Sequence, residues 1–362
     1  MKFLVTIGLC GAAVMLGQAP GPQGATGVDV PATIRVGSTL VLVPAMVKTK
    51  AGQIVYTLAA EDFVATDDGV EQRLHLEQDT DAQPLALVVV VETGGSGVRH
   101  LGEYRNLGAT MEALVGNVQH RVAVVGFDGA PSLVQDFTTD VSAAAERMGG
   151  LSAGDSGAAI LDSLGFAVDL LRRQPPEYRR AILLISETVD DGSRSTLGEA
   201  LRAIGDTNTA IYSLGFSSSK SQMKHELSKL QSTEPGPAGG CMSREPDADP
   251  DAKGNRAVQA FDCLSLLAPP LRLARIAEIA ARNGLRRNIP ESVAKITGGE
   301  YFSFKDAKTL ERGLLTISND IPNRYVLSFQ AASPHAGLHA IGLRLKDRDD
   351  LVVEARSSYW VE

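Results

Sequence analysis

"LALVVVVETGGSG", residues 85–97, sets seven apolar residues in an unbroken row, then one acid and a hydroxyl, then a glycine-rich break. A continuous apolar run bounded by glycines reads as a parallel strand buried on both faces and ending in a tight loop. Open α/β sheets hold their ligands at the carboxyl ends of such strands. Glu92 falls at that end, so the stretch is a phosphate loop, a metal site or the remains of one.

The same pattern continues along the chain. "HRVAVVGFD" (120–128), "RRAILLIS" (179–186) and "TAIYSLGF" (209–216) read as further strands, with a short one in "SLVQDF". Helical spacing marks 98–118, 157–173 and 195–205, then "LRLARIAEIAARNGL", "PESVAKITGG" and 306–320, with a strand at "EYFSF". Strands alternating with helices imply a mostly parallel sheet covered on both faces.

Both ends are β in character. "TLVLVPAMVKT" (39–49), "AGQIV" and "LAAEDFVATDDGVEQRLHLEQD" (58–79) alternate around an Asp-Gly hairpin at Asp68 and Gly69. "RYVLSFQAA", "LHAIGLRLKD" and "LVVEARSSYWV" read as three antiparallel strands. Neither end can bury its apolar alternation alone. The expected organisation is a signal peptide (1–19), a linker (20–32), a first β-sandwich part (33–82), an α/β domain (83–322) with a long loop at 217–270, and a second sandwich part (323–362).

A formal charge of −8, with no basic block interleaved with aromatics, excludes nucleic acid as the expected partner. "MKFLVTIGLCGAAVMLGQA" has one lysine, a short apolar stretch and small residues, a signal-peptide pattern rather than a membrane span. Export to the periplasm or the extracellular space is expected, with no membrane span after the signal is removed. Cys241 and Cys263 then remain in an oxidising compartment, where pairing is the expected state. Closing that loop corresponds to about 3 kcal/mol in the loop-entropy model.

Taken together, "LVLVPAMVKTKAGQIVYTLAAEDFVATDDGVEQRL" at the front and "ITGGEYFSF", "NRYVLSF" and "VEARSSYW" at the back resemble the acidobacterial VWFA-related family. These are exported proteins built around a von Willebrand factor type A domain. The resemblance implies a Rossmann-like A domain inserted into a small β-sandwich formed by the chain ends. It also gives residues 88–97 a role. In the family this strand ends in Asp-x-Ser-x-Ser, which holds a magnesium ion with a threonine and an aspartate from two further loops.

The sequence departs from that pattern. Glu92 stands for the aspartate, Gly94 for the first serine, and Ser96 alone is retained. "SGAAILDS" puts Ala158 at the threonine, and "SET" puts Glu187 at the second aspartate. Magnesium demands a tight oxygen octahedron, and each glutamate sets its oxygens about an ångström further out. A degenerate metal site at Glu92, Ser96 and Glu187 is expected, with a gap at Gly94 and Ala158 and at most weak calcium or magnesium binding. No other cofactor is expected.

Catalytic readings find little support. "GGSG" lacks the Lys-Ser/Thr of a P-loop, and Val98 breaks the frame of a hydrolase elbow around Ser96. His335 and His339 sit between β segments, about 13 Å apart if fully extended, which favours a structural or solvated role. "DADPD" (247–251) lacks the glycine and glutamate of a calcium loop. The expected function is non-enzymatic binding of a protein or cell-envelope component. The alternatives are a structural envelope component that uses the A-like domain as scaffold, and an envelope hydrolase or transferase.

Overall fold

The computed structural model describes residues 39–77, 83–205, 207–217, 288–331 and 335–361. The leader, the linker, nearly all of the 217–270 excursion, the "LRLARIAEIAARNGL" segment, Cys241 and Cys263 lie outside the described residues.

The front of the chain forms β1 (Thr39–Thr49), β2 (Phe63–Asp67), β3 (Val70–Gln72) and β4 (His75–Leu76). β5 (Leu85–Glu92) follows, then a 3-10 turn at Gly97–Tyr104, α1 (Gly108–Val115), β6 (His120–Phe127) and β7 (Pro131–Thr138). Next come α2 (Val141–Gly149), α3 (Ile160–Arg172), β8 (Arg179–Glu187), α4 (Leu197–Gly205) and β9 (Thr209–Phe216). α5 (Ile289–Thr297), β10 (Tyr301–Ser303) and α6 (Ala307–Asp320) complete this part. The chain ends in β11 (Tyr325–Ala331), β12 (Gly337–Leu345), β13 (Leu351–Ala355) and β14 (Ser358–Val361).

The central sheet has the order β10-β9-β8-β5-β6-β7. β5, β6, β8, β9 and β10 run parallel and β7 is the antiparallel edge. Every residue of β5 is buried, because alternate side chains enter two different cores. Leu85, Leu87, Val89 and Val91 pack with Met111 of α1, Met148 of α2 and Leu314 of α6. Ala86, Val88 and Val90 pack with Leu164 of α3, Ile204 of α4 and Val293 of α5. The run of valines is therefore a sequence signature of helices on both faces.

Strands from the two ends of the chain build the other two sheets, ordered β13-β1-β11-β4 and β14-β12-β2-β3. β1 pairs with β11, and β2 with β12, so front and back are joined in both sheets. Val41, Val43, Val47 and Phe329 from one sheet share a core with Phe63, Ile341 and Tyr359 from the other. The architecture is a Rossmann-like α/β domain set into sheets made by the chain ends.

Three local readings need correction. Residues 98–118 are a 3-10 turn and a two-turn helix, since Gly102 and Gly108 weaken helix propagation while Tyr104 and Leu107 turn inward. α2 is an additional helix, opened by Asp140 Oδ1 accepting from Ala143 N–H at 3.0 Å. "LVVEARSSYWV" is two strands. β13 pairs with β1 and β14 with β12, so the chain must cross between sheets at Arg356 and Ser357.

Candidate functional site

β5 leads to β6 on one side, whereas β8 leads to β9 on the other. This reversal opens a crevice at the carboxyl ends of β5 and β8, the usual ligand position in a doubly wound sheet. Glu92 ends β5 and Glu187 ends β8, so both acids stand at that switch point.

They are brought together by a backbone contact. Glu92 Oε2 accepts from the Glu187 N–H at 2.7 Å, and Glu92 Oε1 accepts from the Gly97 N–H at 3.0 Å. The carboxyl is fully buried. Burial pushes its pKa up to about 8, with the Glu187 charge adding to the rise, although the two amide bonds pull the other way. Glu187 is also buried, and its Oε2 has no hydrogen-bond partner among the described residues.

Ser96 stands where the chain enters the 3-10 turn. Its side chain makes no capping bond, and its carbonyl accepts from Arg99 N–H at 3.4 Å. Gly97 is required for the tight return of Glu92. A Cβ there would lie 2.8 Å from Glu92 Cγ and closer still to the Glu92 carbonyl oxygen.

The positions of the two missing hydroxyls are not open. A Cβ on Gly94 would lie 2.7 Å from Asp128 Cβ and nearer still to the Gly157 carbonyl oxygen. Ala158 is buried and exchanges both backbone bonds with Asp191, at 2.7 and 2.9 Å. The expected gap at Gly94 is therefore filled by the neighbouring loop's backbone, a register no local pattern encodes.

Asp128 and Asp155 belong to this rim and were not singled out from the sequence. Asp155 Oδ1 accepts from Gly129 N–H at 2.9 Å and Gly157 N–H at 2.7 Å, and Asp128 Oδ2 accepts from Asp155 N–H at 3.2 Å. Both carboxylates hold loop backbone. The Asp-Gly pair at 128–129 is a turn signal that marks the first of them. Further along, Asp190 accepts from Leu161 N–H at 3.1 Å, and Asp162 accepts from the N–H groups of Arg194 and Ser195 at 2.9 and 2.8 Å. The third loop is thereby tied to the start of α3.

A magnesium ion does not fit this rim. Both Glu92 oxygens are engaged by backbone amides, and burial favours the neutral acid near pH 7. Gly94 is closed and Ala158 has no oxygen in its side chain. Of the expected ligand positions, what remains is the Ser96 hydroxyl and the Glu187 carboxylate, too few to define an octahedron.

Comparison with solved structures gives matches at low identity. A protein named BatB from Bacteroides thetaiotaomicron matches at 14% identity and a TM-score of 0.37, over 65% of this chain and 99% of that one. A von Willebrand factor type A protein from Catenulispora acidiphila matches at 11% and 0.41, over 90% and 75%. The vWF domain of the type V pili tip protein Mfa5 from Porphyromonas gingivalis matches at 14% and 0.36, over 66% and 95%. No protein-family model and no curated protein matches the chain. The fold is von Willebrand factor A-like. The strand order, the antiparallel edge and the covering helices carry that statement.

The closed rim has a direct consequence. Gly94→Ser, the change that would recreate the family's first hydroxyl, is expected to destabilise by about 3 kcal/mol instead of creating a metal ligand, because it overpacks backbone that cannot yield cheaply. Urea unfolding of the variant checks this, and a loss below about 0.5 kcal/mol would show that the 155–157 loop moves aside freely.

Proposed function

We propose that this is an exported, non-enzymatic binding protein. It recognises a protein or cell-envelope component through the carboxyl-end rim of its A-like sheet, by surface contacts and not by a bridging metal. The observation that carries the reading is the full burial of Glu92 with each oxygen accepting a backbone amide, which commits the acid to holding the loops. The rim also presents Val98, 37% exposed, beside exposed Arg99 and Gly95. No described helix is long and apolar enough to cross a membrane.

A pull-down from envelope extract, with and without a chelator, tests this. Capture is expected to survive the chelator and to fall at least tenfold for Val98→Asp, which sets a charge in the rim. Calorimetry is expected to give no micromolar magnesium binding, with calcium at most weak. Micromolar magnesium binding that disappears in Glu92→Ala would overturn the metal-free mode. Capture that ignores Val98→Asp would favour the A-like domain as a structural scaffold.

A further inference from the structure

A second cluster of ligating side chains lies where front and back strands meet, at the pairing of β2 with β12. The hairpin after β2 holds Asp68 in the left-handed region, at φ 47°, with Gly69 at φ 84°. Asp68 is anchored twice to β12. Its N–H donates to the Ala340 carbonyl, and its Oδ1 accepts from Ala340 N–H, each at 2.9 Å. That leaves Oδ2, which sits 2.9 Å from His339 Nδ1. Asp67 Oδ1 lies 3.3 Å from the same nitrogen, and Asp67 Oδ2 accepts the Tyr359 hydroxyl at 2.9 Å.

The histidines are arranged in the same way. His339 Nε2 is 2.8 Å from the His335 carbonyl and so donates to it, which leaves Nδ1 facing the two carboxylates, where it carries either a proton or a metal ion. The His335 ring lies against His339 at a tilt of 41°, with centroids 4.1 Å apart, and the Tyr359 ring stacks on His339 at 4.7 Å. One ligand atom from each of Asp68, His335 and His339 falls within 4.8 Å of the others.

Two features go beyond an ordinary ion pair. His339 Nδ1 and Asp67 Oδ1 are buried and have no aligned hydrogen bond among the described residues, despite their short separations. The atoms turned away from the centre are, in contrast, held: Asp68 Oδ1 by Ala340, Asp67 Oδ2 by Tyr359 and His339 Nε2 by the His335 carbonyl. Outer hydrogen bonds of this kind orient the ligands of a metal centre.

We propose that Asp68, His335 and His339, with Asp67 alongside, bind a divalent transition ion of the zinc class and so clasp the front of the chain to its back. Two imidazoles with carboxylate suit zinc, nickel or copper better than magnesium or calcium. Zinc bonds of about 2.0–2.2 Å place tetrahedral ligand atoms about 3.4 Å apart. To meet that spacing Asp68 Oδ2 and His339 Nδ1, 2.9 Å apart, must part by about half an ångström, and the exposed His335 must swing inward. A proton on Nδ1 is the competitor, since the two carboxylates outweigh burial and raise His339 to about 10.

Calorimetric titration of the oxidised, thiol-alkylated protein with zinc tests the clasp. One equivalent is expected at micromolar affinity, weakened at least tenfold by His335→Ala and by Asp68→Asn. Asparagine tolerates the left-handed turn, and His335 is exposed, so both variants are expected to fold, which far-UV dichroism checks. Glu92→Ala is expected to leave the zinc heat unchanged, which separates this site from the rim. Absence of binding, or binding that His335→Ala does not weaken, would overturn the proposal and leave an ion pair only.

Discussion

Arg356→Ala is expected to lower stability by about 3–5 kcal/mol, the range for truncating a large buried side chain while stranding several buried acceptors. The side chain is buried at the crossing between β13 and β14. Its guanidinium donates to the carbonyls of Ser358 at 2.7 Å, Gly205 at 2.8 Å and Leu42 at 3.4 Å, and to Asn208 Oδ1 at 2.8 Å. One residue thus ties β1 and β14 to the end of α4. Burial lowers its pKa to about 10, and it remains a cation at neutral pH. Truncation strands several buried acceptors and opens a cavity at once. Lysine, lacking the planar fork, is expected to recover less than half of the loss. Urea unfolding followed by dichroism gives the measurement, and a loss below about 1 kcal/mol would mean that water replaces the guanidinium.

Glu92 gives the second large effect. Its folded pKa, about 8, lies above the ordinary value of 4.5, so folding favours its protonated form. The stability it contributes is fully present below about pH 4.5 and is lost as the pH rises through 8. A shift of this size corresponds to about 5 kcal/mol. Other raised acids, Asp320 among them, slope in the same direction, so the difference between wild type and Glu92→Gln isolates this carboxyl. Glutamine cannot titrate, and the stability curve between pH 5 and 9 is expected to flatten by most of that amount. It loses one of the two acceptors, so the variant is expected to be the less stable protein at pH 5. Parallel curves for the two proteins would show that Glu92 is ionised in the fold and would reopen the case for a cation at the rim.

Much of the frame was legible from Leu85 to Gly97. A strand with apolar side chains on both faces needs helices on both faces, and the chain supplies them at helical spacing after each strand. The alternation in "TLVLVPAMVKT" and "RYVLSFQAA" required a partner sheet, since neither end could form a core alone. These are local burial patterns, written in each segment's own residues. The break at residues 105–107 and the crossing at Arg356 were less legible. Both depend on which neighbour a strand or helix meets, and hydrophobic spacing does not record partners.

The candidate site divides along the same line. The sequence by itself determined that Glu92 and Glu187 end buried parallel strands and that the hydroxyls expected at 94 and 158 are absent. Only the tertiary structure decided that Glu92 spends both oxygens on the amides of Gly97 and Glu187, and that the Asp128 and Gly157 backbone fills the space beside Gly94. It likewise decided that His335 and His339 face Asp68, far along the chain from either. The physical reason is common to all three. Residue type and spacing set which groups want burial or a partner, but the atom that satisfies each one comes from a distant segment, placed by strand order and register.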